Sequence, residues 1–378
     1  MLKVFEAFAG VGSQRMALRN LGIEHKVVGI CEIDKFALKS YEAIHGDCPN
    51  FGDISKVDPN DLPNMDLFTY SFPCQDLSVA GKRKGLGEGT RSGLLYECEK
   101  IIEVKKPKYL LLENVKNLVG KKFKNDFDEW LKYLENLGYK NYWKVLNAKD
   151  YGVPQNRERV FVVSILNDKQ GYEFPKPVNL IKCIKDILED EVDEKFYMNK
   201  PFKFVNRKNE AAELEIRANR ECRVVQDERM ICPTLTTMGG GHREPKIIEV
   251  AKMTNINFDA ESRVYSNNGI MATLQSRDCR GPKKILVKDG YSYRVRKLTP
   301  LECWRLMSFS DEDYYKAKNI GISNSQLYKQ AGNSIVVKVL EGIFENLFLN
   351  KSKENEIKTI AIKLKNKNTE YNQLKWII

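Results

Sequence analysis

A cysteine set between proline and glutamine, Pro73-Cys74-Gln75, follows a β-like apolar run at residues 66–70. It precedes a stretch carrying Gly81, Gly85, Gly87, Gly89 and Gly93. A thiol beside a glycine-dense stretch is what a nucleophile next to a mobile lid requires, although a lone cysteine more often serves as a small buried hydrophobe. Lys82, Arg83, Lys84 and Arg91 make that stretch basic, as closure over phosphates demands. Glu113, in Glu113-Asn114-Val115, ends a second apolar run. It is placed either to cap a helix or to hold or protonate a ring nitrogen that faces the cysteine. Arg157 and Arg159, alternating in Gln155-Asn156-Arg157-Glu158-Arg159, share one side of an extended chain. Two such arginines require anionic or polar partners, a surface salt bridge being the plainer alternative.

A third group of residues suits a cofactor. Phe8-Ala9-Gly10-Val11-Gly12 lies between a strand-like run and a helical segment, the context in which a G-x-G loop is informative. The third glycine of a pyrophosphate-binding loop is missing, and a tight strand-to-helix turn is the competing reading. Glu32 ends the second apolar run about 20 residues on, where an acid bonds ribose hydroxyls. Asp53, in Gly52-Asp53-Ile54, is placed to accept from an adenine amino group. An adenosine-containing cofactor without phosphates fits this set better than a nicotinamide dinucleotide, and S-adenosylmethionine is the expected ligand.

These clusters need a scaffold that gathers strand ends. Runs at residues 3–8, 26–31, 66–70, 109–112, 142–146 and 160–165 read as strands, alternating with helical spacing at 14–21, 35–44 and 123–137. Such alternation predicts an α/β fold with a doubly wound, mostly parallel sheet, whose strand ends line one crevice. From Pro175-Lys176-Pro177 the pattern breaks into short runs rich in Gly, Arg, Thr and Asn. Within them Arg223-Val224-Val225, Thr234-Leu235 and Pro245-Lys246 are echoed by Arg263-Val264-Tyr265, Thr273-Leu274 and Pro282-Lys283. Each copy reads as strand–turn–strand, with Arg243 and residues 277–280 at or near the tips, so a smaller β-rich domain is expected. An amphipathic helix at 335–347 needs a sheet to pack on, which returns the chain to the first domain.

The 378 residues exceed one usual core, and no apolar run is long enough to cross a bilayer. Met1-Leu2-Lys3 leads straight into a strand-like run, so no cleavable signal is expected before the fold. A formal charge of +11 favours a polyanionic partner. Nine cysteines without a C-x-x-C pair and three scattered histidines point to a reduced, cytoplasmic setting and no metal site.

The ordered set Phe8-Ala9-Gly10-Val11-Gly12, Pro73-Cys74-Gln75, Glu113-Asn114-Val115, Gln155-Asn156-Arg157-Glu158-Arg159 and Gly332-Asn333-Ser334 resembles the DNA cytosine-5 methyltransferases of bacterial and phage restriction–modification type. Arg296-Lys297-Leu298-Thr299-Pro300-Leu301-Glu302-Cys303 resembles the segment before the last of these. The resemblance implies a Rossmann-like, S-adenosylmethionine-dependent fold and a β-rich target-recognition domain. It implies Cys74 as nucleophile at cytosine C6, Glu113 at N3 and the exocyclic amine, and Arg157 and Arg159 holding a flipped base and ordering the site. Phe8, Ala9, Gly10, Gly12, Glu32, Ile33, Asp53, Ile54, Pro73, Leu94, Asn333 and Ser334 match cofactor-contacting positions. Gln75, Ser78, Lys82, Arg91, Thr234, Leu235, Arg243, Thr273, Leu274 and Arg277 are the expected DNA-contacting residues, with the duplicated Thr-Leu leaving the recognition copy open.

The expected division is a catalytic domain at 1–178, a target-recognition domain at 179–310, a return segment at 311–350 and a tail at 351–378. The expected partner of this monomer is double-stranded DNA, with no membrane; whether a cognate restriction endonuclease acts separately stays open. A transfer-RNA cytosine-5 methyltransferase shares the motifs. A catalytically silent DNA-binding regulator on the same fold would need a broken motif, and a nicotinamide oxidoreductase leaves Cys74, Glu113 and both arginines unexplained.

Overall fold

The computed structural model describes residues 1–73, 94–197, 202–204, 249–253, 263–266, 270–289 and 292–349. Its centre is a six-stranded sheet built from β1 (Leu2–Ala7), β2 (His25–Cys31), β3 (Leu67–Tyr70), β4 (Tyr109–Val115), β5 (Tyr139–Asn147) and β7 (Glu158–Leu166). A two-residue strand, β6 (Gln155–Asn156), precedes β7. The sheet order is β2-β1-β3-β4-β7-β5. Pairings β1–β2, β1–β3 and β3–β4 are parallel, whereas β4–β7 and β7–β5 are antiparallel, so the sheet is mixed. Strand β7 inserts between β4 and β5, with a short turn where a crossover helix would have kept it parallel.

Period-two alternation buries both faces. Val4 and Leu111 enter one apolar layer with Met16, Leu18 and Tyr41, from the helices α1 (Ser13–Asn20) and α2 (Lys35–His45). Phe5, Leu110 and Leu112 enter the other with Cys98, Ile101 and Trp130, from α3 (Leu94–Lys105) and α4 (Lys124–Asn136). The last helices, α5 (Pro300–Arg305), α6 (Asp311–Asn319), α7 (Asn324–Asn333) and α8 (Val337–Phe344), come back to the first layer, where Trp304, Leu327, Leu340 and Phe344 are fully buried. Helix α5 starts on a capping box between Thr299 and Glu302, with Pro300 in its first turn. Glu302 also forms a buried bidentate pair with Arg296 at 2.7 and 2.8 Å, welding the second sheet to this helix.

That second sheet has five strands: β8 (Phe202–Phe204), β9 (Glu249–Met253), β10 (Arg263–Ser266), β12 (Lys284–Asp289) and β13 (Ser292–Lys297). Their order is β13-β12-β10-β9-β8. The strand β11 (Met271–Ala272) leaves it and pairs in parallel with β6. The second sequence repeat is therefore not the expected strand–turn–strand. Its middle strand is drawn away to the first domain, and Ser276–Cys279 form a 3-10 turn where a loop tip was expected. The first repeat, with Thr234, Leu235 and Arg243, lies outside the described residues.

Candidate active site

The glycine loop begins at the carboxyl end of β1, where the sheet order reverses between β1 and β3, the position at which open α/β sheets bind ligands. Phe8, Gly10 and Gly12 all have positive φ, at 56°, 58° and 81°. A non-glycine residue in that region is strained and held by its surroundings. Gly12 has no substitute, because a Cβ there would stand 2.4 Å from His45 Nε2. Burial and the neighbouring Arg15 push His45 down to about 3, so its ring is neutral, and Nε2–H donates to the Val11 carbonyl at 3.1 Å. Beneath the loop, the buried Glu6 accepts from Tyr41 Oη at 2.6 Å and from the Arg15 amide at 3.1 Å.

Glu32 closes the loop from β2. Its carboxylate accepts from the Gly10 amide at 2.8 Å and from the Asp34 amide at 2.7 Å, and burial raises its pKa. Each oxygen keeps a lone pair for a hydroxyl donor. Asp53 is fixed by the Ser55 amide and hydroxyl, which hold its carboxyl below the usual range. Ile33 is 77% exposed, and no described residue lies within 4 Å of where a Gly10 side chain would start. Two acids, an exposed aliphatic residue and open space over the loop fit a nucleoside and disfavour a pyrophosphate. Ile54 is buried beside Asp53, Pro73 and Leu94 are half-buried, Ala9 is buried, and Asn333 is exposed at the end of α7.

The reactive side is assembled differently. Asn114 donates from Nδ2 to the Phe72 carbonyl at 3.1 Å, tying the end of β4 to the segment that enters Pro73. Glu113, 8% exposed on the same strand, pairs with Arg159 Nε at 3.1 Å across the β4–β7 ladder. Burial raises the Glu113 pKa, and Arg159 and Arg157 only partly offset that. Cys74, Gln75, Ser78, Lys82 and Arg91 lie outside the described residues.

Arg157 faces inward, and its guanidinium is occupied by main-chain carbonyls. Nη1 donates to Leu274 at 2.8 Å, and Nη2 donates to Gly332 at 3.1 Å and Ser334 at 2.7 Å. The neighbouring residues lock the same junction. Gln155 accepts from the Leu274 amide at 3.1 Å and donates to the Leu306 carbonyl at 2.8 Å, while the Thr273 hydroxyl donates to the Asn156 carbonyl at 2.7 Å. Gly332 lies so close to the main chain at Gln275 that a Cβ would stand 2.2 Å from its carbonyl carbon. The second Thr-Leu copy is thus the one bonded to the first domain among the described residues. Gln275 is not singled out in the sequence, and Gln155, Asn156 and Gly332, though inside its motifs, carry no expected role there; a junction made of main-chain bonds leaves no signal at these positions.

Residues 2–349 match the family described as C-5 cytosine-specific DNA methylase. The type II methyltransferase M2.ScrFI of Lactococcus lactis subsp. cremoris is 40% identical, over 92% of this chain and 99% of that protein. The orphan methyltransferase M.SPBetaI of Bacillus phage SPbeta is 35% identical, over 93% and 99%. In fold, the chain is similar to the Dnmt2 methyltransferase of S. pombe, with a TM-score of 0.64, 21% identity, and coverage of 93% and 99%.

Proposed function

This chain belongs to the C-5 cytosine-specific DNA methylase family, and from that premise we propose that it methylates C5 of a flipped-out cytosine in a specific double-stranded DNA sequence through attack of Cys74 on C6. The observation that supports the reading is the Asn114–Phe72 bond, which ties the residue before Pro73 to the strand that carries the buried acid Glu113. S-adenosylmethionine, when bound, supplies an electrophilic methyl group. Glu32 receives the ribose hydroxyls and Asp53 the adenine amino group, with Phe8, Ile33 and Ile54 forming apolar walls.

Cytosine C5 is a weak nucleophile. When the Cys74 sulfur bonds to C6, the displaced π electrons are drawn toward N3, and C5 becomes enamine-like. Glu113 holds its proton to a higher pH than a free carboxyl, so it is suited to donate to N3. Arg159 fixes that carboxyl in place. After C5 has been alkylated, loss of its proton and departure of the thiolate restore the ring. A base within the duplex presents neither face to such groups, which is the reason to extrude it. Arg157 acts as a positioning residue, since its donors hold Leu274, Gly332 and Ser334. The likeness to type II and phage enzymes supports a restriction–modification or anti-restriction role for this chain. No helix among the described residues is long and apolar enough to cross a membrane, and we place the enzyme in the cytoplasm.

Bisulfite sequencing of DNA from cells expressing the protein tests this reading. Protection of cytosine at one short recurring sequence is the expected result. Unprotected DNA, together with methylated transfer RNA from the same cells, would overturn it.

A further inference from the structure

Two basic clefts flank the 3-10 turn Ser276–Cys279. One, of about 280 Å³, is lined at the start of the turn by Arg263, Arg277 and Lys283, together with Thr273 and Asn156. The other, of about 290 Å³, is lined at its end by Lys195, Arg280 and Lys297. Among the described residues, neither lining contains a carboxylate. The acid between them, Asp278, is turned inward, where it accepts from the Gln275 amide at 2.9 Å and pairs with Lys283 at 3.4 Å. Lys195 pairs with Asp193 only at the exposed surface, where solvent screens the pair.

The turn is held at its start. The Asp278 carboxylate closes it on the Gln275 amide, and the main chain at Gln275 and Ser276 presses on Gly332. Side chains that read bases must reach out into a groove. Here Arg277 and Arg280 are exposed but border concave clefts on a turn packed against Gly332. Phosphates project from a duplex and enter such clefts without regard to sequence. The first cleft also adjoins the reactive side, because Thr273 is bonded to Asn156, the residue before Arg157.

We propose that the turn is a phosphate clamp, with Arg277 and Arg280 holding two backbone phosphates of the substrate DNA and contributing affinity, not base readout. This rests on the proposed DNA methyltransferase function. The test compares the wild type with Arg277→Gln, Arg280→Gln and the charge-keeping Arg280→Lys. Binding to a duplex with the methylated sequence and to an unrelated duplex is titrated against KCl, alongside bisulfite sequencing and thermal melting.

Each Gln variant is expected to lower the salt slope by about 0.9 and to weaken binding about eightfold at roughly 0.1 M salt, on both duplexes alike. Melting and the methylated sequence should be unchanged, and Arg280→Lys should keep the wild-type slope. Unaltered slopes in the Gln variants would overturn the clamp, as would a loss confined to the target duplex with a relaxed bisulfite pattern. Either result leaves the enzyme's function standing. A wild type that methylates no duplex DNA would instead remove the reading on which the clamp depends.

Discussion

The two sides of the crevice are built from contacts of very different range. On the cofactor side, Glu32 meets Gly10 across 22 residues, and Asp53 is fixed by Ser55, two residues on. On the reactive side, Arg157 reaches Leu274 across 117 residues and Ser334 across 177. The first side is a property of adjacent parallel strands, which present their carboxyl ends together. The second exists only when the segment around Leu274 and the last helices have docked. A disturbance at Leu274 can therefore reach Glu113 and Arg159 through Arg157, and it reaches the cofactor side only through the last helices, by Ser334 and by the Lys329–Asp34 pair.

The largest effect should come from the reactive side. Cys74→Ala is expected to reduce methyl transfer by roughly a thousandfold or more, with duplex binding in a mobility-shift assay nearly unchanged. Appreciable turnover by this variant would take the cysteine out of the chemistry and leave the comparison without its reactive pole.

Arg157→Lys sharpens the comparison. A lysine is a point charge and cannot serve three carbonyls as a planar fork does. Loss of alignment should lower kcat by about a hundredfold, with a much smaller rise in the KM for S-adenosylmethionine because Arg157 also holds Ser334. Equal losses in kcat and cofactor binding would mean that the two sides are not separable. An undiminished kcat would mean that the long-range junction does not order the site.

Cofactor-side substitutions should show the reverse split. Glu32→Ala and Asp53→Ala are each expected to weaken S-adenosylmethionine binding by about 1–3 kcal/mol in calorimetry, with DNA affinity retained. Unchanged cofactor affinity in both would remove the nucleoside site from these strand ends.

The smallest effect concerns the support beneath the glycine loop. Burial raises Glu6 from an ordinary 4.5 to about 7. In this interval the unfolded chain has released the proton and the folded chain still holds it, so the folded state is favoured below about 4.5 and loses stability as pH rises toward 7. In Glu6→Gln that decline should be reduced, seen as a Tm difference of a few degrees between the two ends of the window. Parallel Tm profiles for both proteins would show that Glu6 is charged throughout.

The same difference in range governs what the sequence reveals. Strands near residues 3–8, 26–31 and 66–70 were legible because both faces are buried, Val4 in one layer and Phe5 in the other, which leaves short apolar runs in the sequence. The glycine loop and Glu32 followed from the strand-end rule. The antiparallel placement of β7 was not legible, because a single sequence does not record which strands its own strand will meet. Nor was the departure of β11 from the second sheet, which is caused by Gln155 and Asn156 bonding Leu274 and Thr273 from the other domain. Arg157 could be recognised as inward-facing, but its partners are carbonyls, which every residue carries and which leave no mark in composition. Gly332 is explained only by the main chain at Gln275 that presses on it.

The central claim is covalent attack by Cys74 on cytosine C6, and mechanism-based trapping tests it most directly. The protein is incubated with S-adenosylmethionine and a duplex carrying 5-fluorocytosine at the methylated position, denatured, digested and examined by mass spectrometry. Fluorine at C5 cannot depart as a proton does, so the account predicts a stable protein–DNA adduct on the peptide containing Cys74. Turnover of the ordinary duplex with no adduct on the fluorinated one, or an adduct on another residue, would contradict it.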